Sequence, residues 1–354
     1  MVDKKSHWKI IFNIFTLLVP VAFVVYFFVS ENGFVNLIEN VANFNWWWLA
    51  AGFACQFLNV FIDAYILFRF TSNYDKNYTL KKSLKSTAVG QFFSVITPGA
   101  IGGQPMQLYC MKNQKVDTGV ASSSLVQKFL VYQTIITLYS LISLICNLSI
   151  FRGNFSGIMM WLSAFGFISH ALVIVFVFMF SFNKKLTLFI INWILNFLNK
   201  IKIIKNVREK EQKVKSQLEY FHESNSKLYR NKKMLAEACF FTVIQLTLIF
   251  SIPYMVYKTF NLSGASIFDM ITGQAFVIMI SSFMPLPGGS GAAEGSFYVF
   301  FRIFFTESTI KSAILVWRII TYFMTIIIFA PFSRIGNISD TAKKLEAAEE
   351  DSLI

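Results

Sequence analysis

The chain has 354 residues, 55% of them hydrophobic and 17% aromatic, with only 14% charged and a formal net charge of +13. A soluble domain carries about 25% charged residues to cover a water-facing surface, so the deficit excludes a soluble globular enzyme. The basic excess follows a membrane pattern, set out below, and does not call for nucleic acid as a partner.

An apolar run of about 20 residues crosses the roughly 30 Å hydrocarbon core as a helix. The first such run, 10–30, follows Lys4, Lys5 and Lys9 as a signal peptide would, but it ends in VSENGF without a small-x-small cleavage site. It therefore reads as a retained anchor, forming with its external loop a unit at 1–45. Further spans are predicted near 46–70, 120–150, 158–181, 234–257 and 311–333. Two more apolar segments, 86–110 and 267–305, are broken by Gly and Pro.

Residues 182–233 form the sizeable polar region. Its first half, LTLFIINWILNFLNKIKIIK, spaces Asn and Lys along an apolar run and reads as an amphipathic interfacial helix. Its second half is a charged helical connector. The lysines there would attract anionic headgroups at about 1 kcal/mol each, but a merely solvated face is the first reading of them. A tail at 334–354 ends the chain. Of the 32 Lys and Arg, 25 fall in the loops 1–9, 71–87, 111–118, 182–233 and 334–354, whereas the intervening loops hold only Arg152 and Lys258. This positive-inside bias predicts a multi-pass cell-membrane protein with both termini cytoplasmic.

The broken segments carry the organisation. Lys85 and Lys112 flank 86–110, so both its ends should lie on the cytoplasmic side, as in a re-entrant hairpin. The unit 46–150 contains this segment, and 151–181 links it onward. The unit 234–333 repeats the arrangement around 267–305, with the hairpin opening outward if Arg334 is cytoplasmic. An alternative reading makes 267–285 and 292–305 two short full spans joined by a tight turn. The expected fold is an all-α integral membrane protein. It has about six full transmembrane helices and two Gly/Pro-broken re-entrant segments in an inverted repeat. Broken segments at matching positions of two inverted halves mark a midplane site, because non-helical backbone survives at that depth only when buried in protein or lining a wet cavity.

In the first half, TPGAIGGQP supplies Thr97, Pro98, Gly99, Gly102, Gly103 and Gln104, with Gln91, Gln107 and Gln127 as neutral hydrogen-bonding groups nearby. Buried glutamines also bridge helices, at about 0.6 kcal/mol each. In the second half, Pro285, Pro287, Gly288, Gly289 and Gly291 precede Glu294 at a helix start. The free N–H groups there suit an anion, and Glu294 is equally explicable as a carboxylate capping that end. Intramembrane charges are costly and by default functional; Asp63, Lys128, Asp269, Glu294, Arg302 and Arg318 all fall in apolar segments. Lys128 can snorkel from the cytoplasmic start of its span. Arg318 offers either bidentate recognition of phosphate or a structural pair with Asp269 or Glu294. His170, in mid-span, reads as a helix-packing residue before a proton relay. The four cysteines make no Cys-x-x-Cys pair, and neither a metal site, a cofactor nor a catalytic triad is expected.

The strings TPGAIGGQPMQLY, PLPGGSGAAEGSFYVFF and LVWRIITYF resemble the lysylphosphatidylglycerol synthase transmembrane, or flippase-like, family. This is the membrane half of the multiple peptide resistance factor proteins, and the resemblance runs from about 10 to 335. It places Gly102, Gly103, Gln104, Pro287, Gly288, Gly289, Gly291, Glu294 and Arg318 on the family's motif positions, although some relatives carry Glu at Gln104. The resemblance implies a flippase-like protein that binds or translocates a phospholipid or lipid-linked headgroup, in lipid metabolism and antibiotic resistance.

The full-length bifunctional proteins add a cytoplasmic synthase domain that moves lysine from charged tRNA onto phosphatidylglycerol. The longest polar stretch here, about 50 residues, is too short for one, so this chain is not expected to be an enzyme. Other readings are a phosphatidylglycerol lysyltransferase, a membrane subunit serving a separate lipid-modifying enzyme, or a non-transporting scaffold. A homo-oligomer is compatible with all of them.

Overall fold

The computed structural model describes residues 41–151, 157–190, 231–282 and 284–334, with scattered positions between 193 and 230. The anchor predicted at 10–30, most of the connector at 182–233 and the tail beyond Arg334 lie outside the described residues.

Helices dominate what is described. Five are long and apolar enough to cross a membrane, and they coincide with the spans predicted from hydropathy. They are α1 (Trp46–Ser72), α4 (Thr118–Phe151), α5 (Gly157–Phe182), α6 (Lys232–Thr259) and a last span beginning with α9 (Glu307–Arg318). After Arg318 that span passes through a π-helical turn (Ile319–Phe323) into α10 (Met324–Phe329). Exposed apolar side chains, among them Trp161, Ile168, Leu172 and Phe176, cover the free face of α5. On a membrane helix this is the face expected against lipid.

The first broken segment folds into α2 (Leu80–Ile96) and α3 (Gly103–Asn113), and the second into α7 (Ile267–Ser281) and α8 (Ala292–Phe301). At 1.5 Å rise per residue, the 11 residues of α3 and the 10 of α8 cover roughly half of the hydrocarbon core. The range 292–305 is therefore too short in helix for a full span. Each pair is an antiparallel hairpin. At the base of the first, Gln114 beyond the end of α3 donates to the Lys82 carbonyl near the start of α2, at 3.1 Å. Higher up, a Cβ on Gly103 would run into Ser94 and the Gly90 carbonyl, so the helices cross where only glycine fits. In the second hairpin, Phe276 of α7 stacks on Phe300 of α8 with ring centroids 4.6 Å apart.

The hairpins rest on opposite ends of α1. Met111 and the α1–α2 loop residue Tyr78 pack with Leu67 near the C-terminal end of α1. Phe301 and Phe305 share a core cluster with Phe44, Leu49 and Cys55 at its N-terminal end. Local sequence secures the hairpin entrances. Thr79 caps α2 through Lys82 N, and Ser266 and Asp269 form a reciprocal capping box on α7. The tips meet as a single antiparallel bridge between Pro98 and Pro287.

Candidate functional site

A cavity of about 510 Å³ lies beside the meeting tips, with walls drawn from both hairpins and from α1, α4, α6 and the last span. Its polar lining is amide-rich, comprising seven glutamines and Asn59, and its rings are Phe129, Tyr132, Trp317 and Tyr322.

Two buried ion pairs set its electrostatics. Arg318 Nε donates to Glu294 Oε1 at 2.7 Å, and Nη1 donates to the Gly288 carbonyl at 3.0 Å. The other Glu294 oxygen accepts from Gly291 N–H at 2.7 Å. The carboxylate thus satisfies the start of α8 and neutralises the arginine at once, and the expected choice of partner for Arg318 resolves to Glu294. Asp269 is occupied elsewhere, by its capping box and by Asn147 Nδ2 at 2.8 Å where α4 kinks. The guanidinium also lies over the rings of Trp317 and Tyr322, 5.0 and 5.4 Å from their centroids. The π-helical turn begins just after Arg318; such turns recur at functional sites.

In the second pair, Lys128 Nζ sits 2.9 Å from each oxygen of Asp63, joining α4 to α1. Lys128 is 7% exposed, so it does not snorkel; it turns inward to a carboxylate. Amides continue this network: Gln245 Nε2 donates to Asn59 Oδ1 at 3.0 Å, and Gln56 Nε2 to Thr325 Oγ1 at 3.2 Å. His170 is buried on α5 and hydrogen-bonded to Gln133.

Of the residues singled out in sequence, Asp63, Gln91, Gly99, Gly103, Gln104, Gln107, Lys128, Gly288 and Arg318 line the cavity, and Glu294 stands behind Arg318. Thr97 closes the first tip, its hydroxyl accepting from Gly102 N–H at 2.9 Å. Pro98 and Pro287 make the bridge, while Gly289 and Gly291 take positive φ in the second tip. Arg302 is apart from the site, exposed at the C-terminal end of α8. Gln56, Asn59, Gln133, Gln245 and Gln274 complete the wall and were not anticipated. Their only signal is an amide inside an apolar run, as in TVIQLTLIF.

Gly288 packs its backbone closely against the wall residue Tyr322. Its φ is +61°, and a Cβ there would collide with the ring of Tyr322. Gly288→Ala is expected to cost about 1–2 kcal/mol from the left-handed backbone alone, with more from displacing the ring. A melting temperature equal to that of the unaltered protein would show that the ring does not depend on the loop.

The chain is similar to two curated proteins. One is "Uncharacterized protein MG306 homolog" of Mycoplasma pneumoniae, 24% identical over 345 residues, covering 90% of this chain and 85% of that protein. The other is "Uncharacterized protein MG306" of Mycoplasma genitalium, 25% identical over 346 residues, covering 88% and 84%. Residues 11–328 match the family described as the lysylphosphatidylglycerol synthase TM region; the chain belongs to that family.

Proposed function

We propose that this membrane protein binds the polar headgroup of a phospholipid or lipid-linked substrate in the cavity between its hairpins and moves it across the bilayer. The observation that carries this reading is a buried arginine in the cavity wall with one donor left unpaired among the described residues. Arg318 spends Nε and Nη1 on Glu294 and Gly288, while Nη2 has no partner among the described residues. The remaining N–H donor suits an oxygen of a phosphate or of a hydroxyl, and a charge kept at membrane depth marks a substrate path by default. Family membership supports a lipid substrate. In this reading the hairpins are re-entrant, belong to an inverted repeat and serve as gates, with both termini in the cytoplasm and the protein in the cell membrane.

The direct test is reconstitution of the purified chain in liposomes carrying headgroup-labelled phospholipids, followed by chemical quenching of the outer leaflet. Protein-dependent acceleration of headgroup exchange is expected; exchange at the protein-free rate for every lipid tried would remove the transport reading. Topology is tested separately, by cysteine accessibility after replacement of the native cysteines. Lys85→Cys and Lys112→Cys are both expected to label only from the cytoplasm, and Ser308→Cys only from outside. Labelling of Lys85→Cys and Lys112→Cys from opposite faces would rule out a re-entrant first hairpin.

A further inference from the structure

Three residues of the cavity wall each carry a buried polar atom with no hydrogen-bond partner among the described residues: Gln274 Oε1, Trp317 Nε1 and Arg318 Nη2. Their side chains come from two elements that bound the same cavity, α7 and the last span, and they are 1%, 3% and 5% exposed. One atom is an acceptor and two are donors. Atoms so deeply buried are costly to leave unpaired, so their chemistry describes what the site is built to receive.

Charge narrows the choice. Each carboxylate at the site is already matched, Asp63 by Lys128 and Glu294 by Arg318, so the four charges sum to zero. An ammonium group entering the cavity finds no unpaired carboxylate. The ring faces of Trp317 and Tyr322, which would otherwise attract a cation, already lie against the guanidinium. A bare phosphate satisfies the two donors but leaves its own oxygens against Gln274 Oε1 unless that amide turns its Nε2 inward. Hydroxyl groups, each both donor and acceptor, satisfy all three atoms. The remaining amides in the wall offer the same two-sided chemistry, and Phe129 and Tyr132 provide flat apolar faces of the kind that the C–H face of a sugar ring covers.

We propose that the cavity selects an uncharged, hydroxyl-rich headgroup, a glycosyl lipid, over an aminoacylated one, with Gln274 as the residue that reads the hydroxyls. The inference rests on the headgroup-binding reading above and adds the class of headgroup. The glycerol end of phosphatidylglycerol shares the hydroxyl chemistry, so the test separates it from a sugar.

The experiment is lipid retention by the purified full chain, read by native mass spectrometry. The competing probes are glucosyl-diacylglycerol, phosphatidylglycerol, lysyl-phosphatidylglycerol and phosphatidylethanolamine. Glucosyl-diacylglycerol is expected to be retained about tenfold or more over the two amine-bearing lipids, the ratio that one well-placed hydrogen bond supplies. Gln274→Leu should erase that preference. Gln274→Glu, which adds an unpaired carboxylate, should raise retention of the lysyl lipid. Preferential retention of the lysyl lipid by the unaltered chain overturns the inference, as does a glucosyl preference untouched by either variant. Preference for phosphatidylglycerol over the glucosyl lipid overturns the sugar assignment and leaves headgroup binding standing. Retention of no probe at all defeats both readings.

Discussion

Glu294→Gln is expected to destabilise the detergent-solubilised protein by about 3–5 kcal/mol, the cost of removing one partner from a buried ion pair. Arg318 would keep its charge with only the Gly288 carbonyl and two ring faces for company, and Gly291 N–H would lose a charged acceptor. Arg318→Gln should be costly for the converse reason. The double variant Arg318→Gln/Glu294→Gln removes both charges together and should recover much of the loss, because two amides can hydrogen-bond to each other. Headgroup exchange separates stability from function. It should fall to background in the double variant, and Arg318→Lys should restore only part of it, since a point charge lacks the fork. Thermal melts and the liposome assay read the two quantities independently. Full exchange in the stable double variant would reduce the pair to a structural clamp.

Lys128→Met should have an effect of similar size through the other pair. Asp63 would be left 7% exposed, with Gln91 Nε2 at 3.5 Å as a weak side-chain donor in place of the ammonium. A buried carboxylate so deprived is destabilising, and the contact between α1 and α4 at cavity level should loosen. Asp63→Asn/Lys128→Gln should again be milder than either single change. A double-mutant cycle on chemical or thermal unfolding measures the coupling directly. Additive single effects would mean that the two charges act independently despite their 2.9 Å separation.

Legibility in the sequence followed the physics of each feature. The five described spans were readable because lipid demands long apolar runs, a requirement written locally. The broken segments were readable because Gly and Pro interrupt apolar runs visibly, and the basic flanks Lys85 and Lys112 announced that the first one doubles back. Partner choice was not readable. Arg318 and Glu294 stand 24 residues apart, and Asp269 was an equally good candidate until its capping box and its bond to Asn147 removed it. Lys128 misled for the same reason: a lysine at the start of a span snorkels by default, and only the three-dimensional position of Asp63, 65 residues away, turns it inward. The amide wall was half-seen. Gln91, Gln104 and Gln107 stood out beside the first tip, whereas Gln245 and Gln274 sit in ordinary apolar helices and declare their direction only through packing.

The pairing of every charge at the cavity also decides how the site responds to voltage. Moving one elementary charge through the membrane potential involves about 2.3 kcal/mol per 100 mV. Asp63 with Lys128, and Glu294 with Arg318, are closed dipoles, so a rearrangement that keeps both pairs intact would carry no net charge across the field. An uncharged cargo adds none. For the transport proposed above, the electrical gradient would then have no handle on such a cycle, and its direction would be set by the lipid concentrations in the two leaflets.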